Sequence, residues 1–179
     1  MKIRALMLLA LAVPSAAVAQ QPAHAHGSMG GGIAAVQPLY NRLKDLYVRA
    51  AEAMPEEQYG FKPVPEVRSF REVLGHVANE NYLFCAGAKS EENPNKADFE
   101  KTTSKAAMVQ AIKESFAYCD PAYQMEEMKA MEEVTFFRQT GSRLWVLTYN
   151  LTHDSEHYGN VVTYLRMKGI VPPSSQGGM

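Results

Sequence analysis

The sequence predicts an all-α protein, a four-helix bundle whose helices follow one another in up-down-down-up order. Four segments carry apolar residues three and four positions apart, the spacing of a helix with one buried face. No segment shows the apolar–polar alternation of a half-buried strand, and no internal repeat is present. Packing of helix against helix is therefore the expected way to bury these faces.

Length and charge restrict the classes of function. The chain has 179 residues, 46% of them hydrophobic, which suits one globular domain with its own core. The formal net charge is −1, so no basic face is expected. This balance argues against nucleic-acid binding and against electrostatic attachment to anionic lipid. The expected partner is an unknown small molecule.

Residues 1–19 have the pattern of a secretory signal peptide. Lys2 and Arg4 form a positive start, residues 5–13 are apolar, and an A-x-A site ends at Ala19. The alternative is an uncleaved membrane anchor, but the apolar run is shorter than the ~20 residues that a membrane-spanning helix needs. The sequence thus predicts a periplasmic or secreted protein without membrane contact after cleavage.

The next segment, residues 20–33, is rich in Gly, Ala and Pro and is expected to form a flexible linker. It contains His24 and His26, and a short His tract can bind metal weakly, although a solvated linker is the preferred interpretation. The helical domain is expected over 34–174, followed by a C-terminal tail over 175–179.

The first two predicted helices have clear ends. The first runs from Val36 to Met54, and Pro38 is tolerated in its first turn. The second opens with the capping-box pattern SFRE at 69–72 and continues to Ala88. Their apolar stripes consist of Val36, Tyr40, Leu43, Tyr47, Ala50 and Met54 in the first helix, and of Phe70, Val73, Leu74, Val77 and Phe84 in the second.

The second half of the chain contributes two more helices. The third covers 104–118 and is expected to end before Pro121, because proline breaks a helix interior. Residues 122–139 are ambiguous between a short helix and irregular structure. The fourth and longest helix covers 143–168, with Ser142 as its N-cap.

The connection between the second and third helices predicts their relative direction. The loop 89–101 has roughly a dozen residues and spans about 40 Å when extended, at ~3.3 Å each. A twenty-residue helix is only about 30 Å long, so the two helices can run parallel. Cys85 and Cys119 would then lie at the same end of the bundle, where an exported protein could hold them as a disulfide. Two buried free thiols are the alternative.

Three histidines form the candidate functional site. His153 and His157 lie four positions apart, so on a helix their side chains leave the same face one turn apart. Two imidazoles at that spacing can bind one ion, and a further ligand must come from another helix. His76 is the only other histidine in the predicted domain. We therefore expect these three side chains to hold one divalent metal ion.

Polar residues interrupt the apolar faces beside these histidines. At ~100° per residue, Asn150 and Asp154 lie at the edge of the buried arc of the fourth helix. On the second helix, Glu80 follows His76 by four positions. Buried polar groups without partners cost about 1–3 kcal/mol each, and a ligand or metal would satisfy them together. Glu80 and Asp154 are the candidate catalytic residues, as fourth ligands, as orienting partners or as general bases.

Three neutral imidazoles suit zinc, nickel, copper or ferrous iron, and zinc, nickel and iron are the expected ions. They leave a coordination position open, which is typical of a catalytic site. The alternative is that no metal binds, because the HxxxH spacing is common and a single His76 often packs as an ordinary core or surface residue. Asp154 follows His153, so HExxH is absent and a zincin peptidase is disfavoured.

Two segments carry a family resemblance. One is YNLTHDSEHYGNVVTYLRMKGIVPPS at 149–174, and the other is EQYGFKPVPEVRSFREVLGHVA at 57–78. The first resembles the last helix of the DinB/YfiT-like superfamily of metalloenzymes, and the second is similar to the second-helix region of its exported members. The resemblance covers 34–174. It implies an up-down-down-up four-helix bundle and a metal bound by the histidines of LGHVA and THDSEHYGN, which are the three proposed above.

The resemblance also implies classes of activity. Characterised relatives include thiol-dependent S-transferases and a maleylpyruvate isomerase, so a metal-dependent transferase or hydrolase is the first hypothesis. The thiols of those relatives are mainly cytosolic, whereas this chain is predicted to be exported, and the substrate is left as an unknown small molecule. The alternatives are a non-catalytic metal-binding or metal-stabilised helical module, and a plain helical interaction domain. Relatives are often dimers, which suggests a homodimer.

Overall fold

The computed structural model describes residues 30–177, and these residues form a mostly helical fold. The predicted signal peptide, the linker residues 20–29 and the last two residues of the predicted tail lie outside this range. Within it, five α-helices are accompanied by one antiparallel pair of short strands. None of the helices in this range has both the length and the apolar character that crossing a bilayer requires.

Four of the helices are long and one is a single turn. The helices are α1 (Ile33–Ala53), α2 (Phe70–Lys89), α3 (Lys105–Tyr123), α4 (Glu127–Ala130) and α5 (Arg143–Met167), and the strands are β1 (Glu133–Phe136) and β2 (Gln139–Ser142). Single 3₁₀ turns lie at Glu56–Gln58, Phe99–Lys101 and Pro173–Ser175. The capping box of Ser69 and Glu72 at the start of α2 is present, and Ser142 caps α5 through the Trp145 N–H.

Two helix ends differ from the prediction. Helix α1 begins at Ile33, inside the predicted linker, and the Ile33 N–H donates to a Glu127 carboxylate oxygen at 3.0 Å. Helix α3 continues through Pro121, so the predicted break there is wrong. The side chain of Asp120 accepts hydrogen bonds from Lys44 and Tyr40, and the following Tyr123 is buried. Burial of this last turn outweighs the one hydrogen bond that proline removes.

The ambiguous residues 122–139 complete α3, form α4 and enter a β-hairpin. The predicted mostly helical class is confirmed, whereas the hairpin was not expected. In β1 the side chains of Val134 and Phe136 are buried, whereas Glu133 and Thr135 are exposed. Four residues are too few for this alternation to stand out in sequence. The tip residues Phe137 and Arg138 both have positive φ, 47° and 64°, as a two-residue hairpin turn requires.

Helix α1 packs on α3 and α5 through tyrosines that bury their rings and satisfy their hydroxyl groups. The Tyr40 ring stacks on Tyr123 with centroids 3.8 Å apart, and its hydroxyl donates to the Phe116 carbonyl at 2.6 Å. The Tyr47 hydroxyl donates to the Asp154 carbonyl at 2.7 Å. A buried tyrosine usually finds such a partner. Tyr47 therefore connects α1 directly to the turn of α5 that carries the predicted site.

Helices α2 and α5 touch at both ends. The Tyr164 hydroxyl, late in α5, donates to the Arg68 carbonyl just before α2, at 2.8 Å. The Arg143 guanidinium, at the start of α5, donates to the Ala88 carbonyl near the end of α2, at 2.6 Å. These two contacts help to fix the axial position of α5 relative to α2. This position determines which side chains of the two helices meet.

The structure pairs Cys85 with Cys119 as a disulfide, and no free cysteine occurs among residues 30–177. The two Cα atoms are 5.3 Å apart, and both residues are buried. The bond joins the last turns of α2 to the end of α3 across 34 residues of chain. The hypothesis of a bridge is thus favoured over two buried thiols.

We expect the disulfide to contribute about 4 kcal/mol to the free energy of unfolding, because a crosslink across 34 residues restricts the unfolded chain. Urea unfolding of the oxidised protein, the reduced protein and the Cys85→Ala/Cys119→Ala variant would measure this contribution. Reductant should leave the double variant unchanged. Equal unfolding midpoints for oxidised and reduced protein would contradict the prediction.

Candidate metal centre

The three predicted histidines meet between α2 and α5. The Nε2 atom of His153 lies 3.2 Å from that of His76 and 3.1 Å from that of His157. One ring nitrogen from each residue lies within 4.8 Å of the other two, and all three side chains are half-buried. The predicted convergence of imidazoles from two helices is confirmed.

The local structure explains the convergence. His153 and His157 stand one turn apart on α5, and their ring centroids are 4.5 Å apart. His76 leaves the facing side of α2, and its ring lies 5.1 Å from that of His153 and 4.8 Å from that of His157. The contacts at both ends of α2 and α5 therefore bring two separate sequence motifs to one point.

The arrangement fits a metal ion. Nε2 of His153 lies within hydrogen-bond distance of the other two Nε2 atoms. When all three atoms carry lone pairs, however, none of them can donate a hydrogen bond to another. A metal–nitrogen distance of about 2.0–2.1 Å places neighbouring ligand nitrogens roughly 3.3 Å apart in tetrahedral and roughly 2.9 Å apart in octahedral geometry. The observed 3.1 Å and 3.2 Å lie between these values. Imidazole donors suit zinc, nickel and iron.

Electrostatics keep two of these rings in the form that binds metal. Burial, together with the neighbouring His153, His76 and Arg68, lowers the pKa of His157 to about 4. Burial, followed by the charge of Arg68, also lowers the pKa of His76. Both imidazoles are therefore neutral at pH 7, and only a neutral ring can donate a lone pair to a metal.

Glu100 is a functional residue that the sequence analysis did not identify. One of its carboxylate oxygens lies 3.0 Å from His76 Nδ1, and the other accepts a hydrogen bond from Arg68 Nε at 3.2 Å. A carboxylate at Nδ1 fixes the proton there and directs the Nε2 lone pair toward the metal. Glu100 lies 24 residues from His76 in a connecting segment, and no spacing rule links the two.

Gly75 makes this approach possible. The 3₁₀ turn Phe99–Lys101 lies directly against α2 at this position. A Cβ atom on Gly75 would lie 2.5 Å from the carbonyl of Phe99 and 2.6 Å from the nitrogen of Glu100. Any side chain would therefore displace the backbone that carries Glu100. The glycine beside His76 is the one local sign of this contact in the sequence.

Asp154 lies behind the histidines and has only 1% of its surface exposed. Its Oδ2 accepts a hydrogen bond from Asn150 at 3.1 Å, whereas its Oδ1 and the Nδ1 of His153, 3.9 Å apart, are both buried without a partner. Burial raises the pKa of Asp154 to about 6 despite these neighbours. An imidazole that binds metal through Nε2 carries its proton on Nδ1, and this proton would face Asp154.

A chain of buried amides continues from Asp154 across the core. Asn150 donates to the Asn81 side-chain oxygen at 3.1 Å, and Asn81 donates to the Ser115 hydroxyl at 3.3 Å. All three side chains are fully buried. The sequence analysis identified Asn150 but missed Asn81, although Asn81 follows Val77 by four positions on the buried stripe of α2.

Glu80 is half-buried on α2, one turn after His76. Among residues 30–177, the group of side chains that could share one ion consists of the three histidines and does not include Glu80. The carboxylate is near enough that its charge counteracts the lowering of the pKa of His76 and adds to the raised pKa of Asp154. Its catalytic role stays a prediction.

A cleft of about 470 Å³ opens beside His157. Its lining residues come from the segment before α2 and from the facing turns of α2 and α5: Glu66, Val67, Arg68, Val73, His157, Asn160 and Tyr164. A small molecule in this cleft would lie against one of the three imidazoles. The cluster is therefore accessible from one side, while Asp154 closes the other.

These observations define the class: a mostly helical protein that presents three imidazoles from two helices at the edge of a cleft. The model of the DinB superfamily matches residues 39–161, which include all three histidines. The chain belongs to the DinB superfamily.

Solved structures agree with this assignment. A DinB-like protein of Bacillus cereus aligns with a TM-score of 0.68 at 14% identity, over 78% of this chain and 93% of its own. A DinB-like protein of Bacillus subtilis aligns with a TM-score of 0.62 at 20% identity, over 81% of this chain and 99% of its own. At these identities the comparison shows a shared fold.

A third similar structure is a histidine-to-alanine mutant of the mycothiol-dependent maleylpyruvate isomerase. It aligns with a TM-score of 0.58 at 16% identity, over 72% of this chain and 60% of the isomerase. The isomerase thus contains a substantial part without a counterpart in the alignment. No curated protein matches this sequence significantly.

Replacing Glu100 by Gln should lower zinc affinity about 10- to 100-fold, because the amide is a weaker partner for the His76 ring than the carboxylate. Competition with a chromophoric chelator at fixed pH would measure this change. Glu92→Gln is the matched control, because Glu92 is exposed in the same connecting segment and pairs with Lys96. Wild-type zinc affinity in Glu100→Gln would contradict the assigned role.

Proposed function

We propose that this protein binds one divalent metal ion through His76, His153 and His157 and acts as a metal-dependent transferase or hydrolase on a small molecule. The observation that carries the proposal is that Nε2 of His153 lies 3.1–3.2 Å from Nε2 of each of the other two histidines, beside an open cleft. Zinc, nickel and iron are the ions that this donor set suits best.

Three protein ligands leave a coordination position for water or substrate, which is why the proposal extends to catalysis. When bound, the ion supplies Lewis acidity, which polarises a substrate group or acidifies a bound water or thiol. The chain itself orients the site. Glu100 holds His76 through Nδ1, and Asp154 faces Nδ1 of His153.

Glu80 is the proposed proton acceptor of the site. Its carboxylate is half-buried one turn from His76, whereas Asp154 is too deeply buried to touch a substrate. A general base must reach the proton that it removes, and exposure favours Glu80 for this role. Asp154 is then a positioning residue for His153.

The non-catalytic alternative is favoured by a separate observation. His76 lies on α2, and His153 and His157 lie on α5, so a bound metal would crosslink the two helices. Such a crosslink would stabilise the fold without any reaction, since a ligand that binds only the folded state raises its stability. In that case metal should raise the melting temperature while no electrophilic or ester substrate is turned over.

We also propose the order of the long helices and the location of the protein. An up-down-down-up order is supported by the disulfide between late turns of α2 and α3, and by the end contacts of α2 with α5. Export to the periplasm or outside the cell is supported by the leader pattern of residues 1–19 and by the disulfide, since such bonds persist in oxidising compartments.

Elemental analysis of the untagged mature protein should find one equivalent of a divalent metal, lost in the His76→Ala/His153→Ala/His157→Ala variant. The melting temperature of wild type should fall on treatment with a chelator. His24→Ala/His26→Ala is the matched control, because it removes the two histidines outside the proposed centre and should keep the full equivalent. Stoichiometric metal in the triple variant would contradict the proposed ligand set.

Replacing Glu80 by Gln should lower kcat by about 10²- to 10⁴-fold while the metal content stays at one equivalent, because only the proton acceptor is removed. The measurement is turnover of the best substrate from a panel of esters and thiol-reactive electrophiles. Glu114→Gln, an exposed carboxylate on α3, should retain wild-type kcat. Full activity of Glu80→Gln would exclude Glu80 as the base.

A further inference from the structure

We propose that the cleft beside His157 binds an anionic group of the substrate, a carboxylate or a phosphate, and that Arg68 is its anchor. The inference deepens the proposed function and rests on it for the position of the reacting atoms. It is carried by the Arg68 side chain and by the charges and polar groups around it.

Arg68 is held in place and still has free donors. Its Nε donates to Glu100 at 3.2 Å, and its backbone carbonyl accepts the Tyr164 hydroxyl at 2.8 Å. Across residues 30–177, its two terminal nitrogens have no hydrogen-bond acceptor. The side chain has 45% of its surface exposed and lines the cleft. A guanidinium fixed at Nε presents its remaining N–H groups in the geometry that a carboxylate or phosphate accepts.

A second donor lies across the cleft. The Asn160 side-chain nitrogen is 3.5 Å from Nδ1 of His157, which is a long contact for a hydrogen bond. This amide can therefore turn toward a ligand at little cost. Val67 and Val73 add apolar surface to the same cleft. The lining thus combines two polar donors with room for a short hydrocarbon part.

The charge balance makes the site depend on the metal. Glu66 also lines the cleft and offsets the charge of Arg68, and Glu100 offsets the charge further. A divalent ion on the three histidines would add two positive charges beside the cleft. We therefore expect weak anion binding to the metal-free protein and stronger binding to the zinc-loaded protein, as linked equilibria require.

The experiment is an NMR titration of the ¹⁵N-labelled mature protein with acetate and, separately, with inorganic phosphate, in metal-free and zinc-loaded forms. The Arg68 Nε–H and the Asn160 amide are the reporters. Both signals should shift in a saturable way in each form, and the anion that binds more tightly identifies the preferred group. A response in the metal-free form tests Arg68 separately from the metal, so failure of the centre and failure of this subsite are distinguishable.

Four variants make the test specific. Arg68→Gln should weaken anion binding at least ~10-fold, since a charge-assisted pair is lost, and Arg68→Lys should restore part of it. Glu66→Gln should tighten binding about two-fold or more by removing the opposing charge. Lys62→Gln removes a positive charge from the same connecting segment, outside the cleft, and should leave affinity within about two-fold.

Glu100→Gln separates this subsite from the positioning of His76. It should lower zinc affinity yet retain or strengthen anion binding to the metal-free protein, because Arg68 keeps its charge. Wild-type anion affinity in Arg68→Gln, or an equal loss in Lys62→Gln, would overturn the proposal. Anion-induced shifts at other residues, with the signals of Arg68 and Asn160 unchanged, would also overturn it.

Discussion

The buried hydrogen bond between Asn150 of α5 and Asn81 of α2 sets the register on which the site depends. The donor and acceptor are 3.1 Å apart, and both side chains are fully buried. Sliding one helix past the other by a turn, about 5.4 Å, would break this bond and leave the buried side-chain oxygen of Asn81 without its donor, at a cost of about 1–3 kcal/mol. The same slip would carry His76 out of reach of His153 and His157. An apolar interface would tolerate such slippage better, because its contacts are less directional.

The electrostatic design of the site follows from where each carboxylate lies. Glu100 contacts Nδ1 of His76 from the solvent side, and Asp154 faces Nδ1 of His153 from the core. Two of the three rings therefore have a carboxylate at the nitrogen that does not face the cluster. His157 has only the amide of Asn160 near its Nδ1, at 3.5 Å, and it lines the cleft. The ring with the weakest restraint is thus the one that lines the cleft.

Helices α1 and α3 support this pair of helices through specific contacts. Tyr47 of α1 donates to the backbone of α5 at Asp154, so the turn that carries the site is held from the back. Ser115 of α3 completes the buried amide chain, and the disulfide joins α3 to α2 next to it. Helices α1 and α3, which carry none of the three histidines, therefore support α2 and α5 through hydrogen bonds and a covalent link, and these are more directional than apolar contact.

Local patterns in the chain were enough to predict the long helices and the three histidines of the site. These patterns are helical periodicity, the capping box at Ser69 and the i, i+4 spacing of His153 and His157. Each involves only a few neighbouring residues, so the local backbone geometry is enough to determine the structure that it forms. Partners from distant segments became visible only in the packed protein. Glu100 reaches His76 because Gly75 lets a 3₁₀ turn approach the helix, and Asn81 meets Asn150 across 69 residues. Helix α3 continues past Pro121, and a hairpin forms where irregular chain was expected, because burial against neighbouring elements outweighs a weak local preference. No local sequence pattern shows which elements will be neighbours in the folded protein.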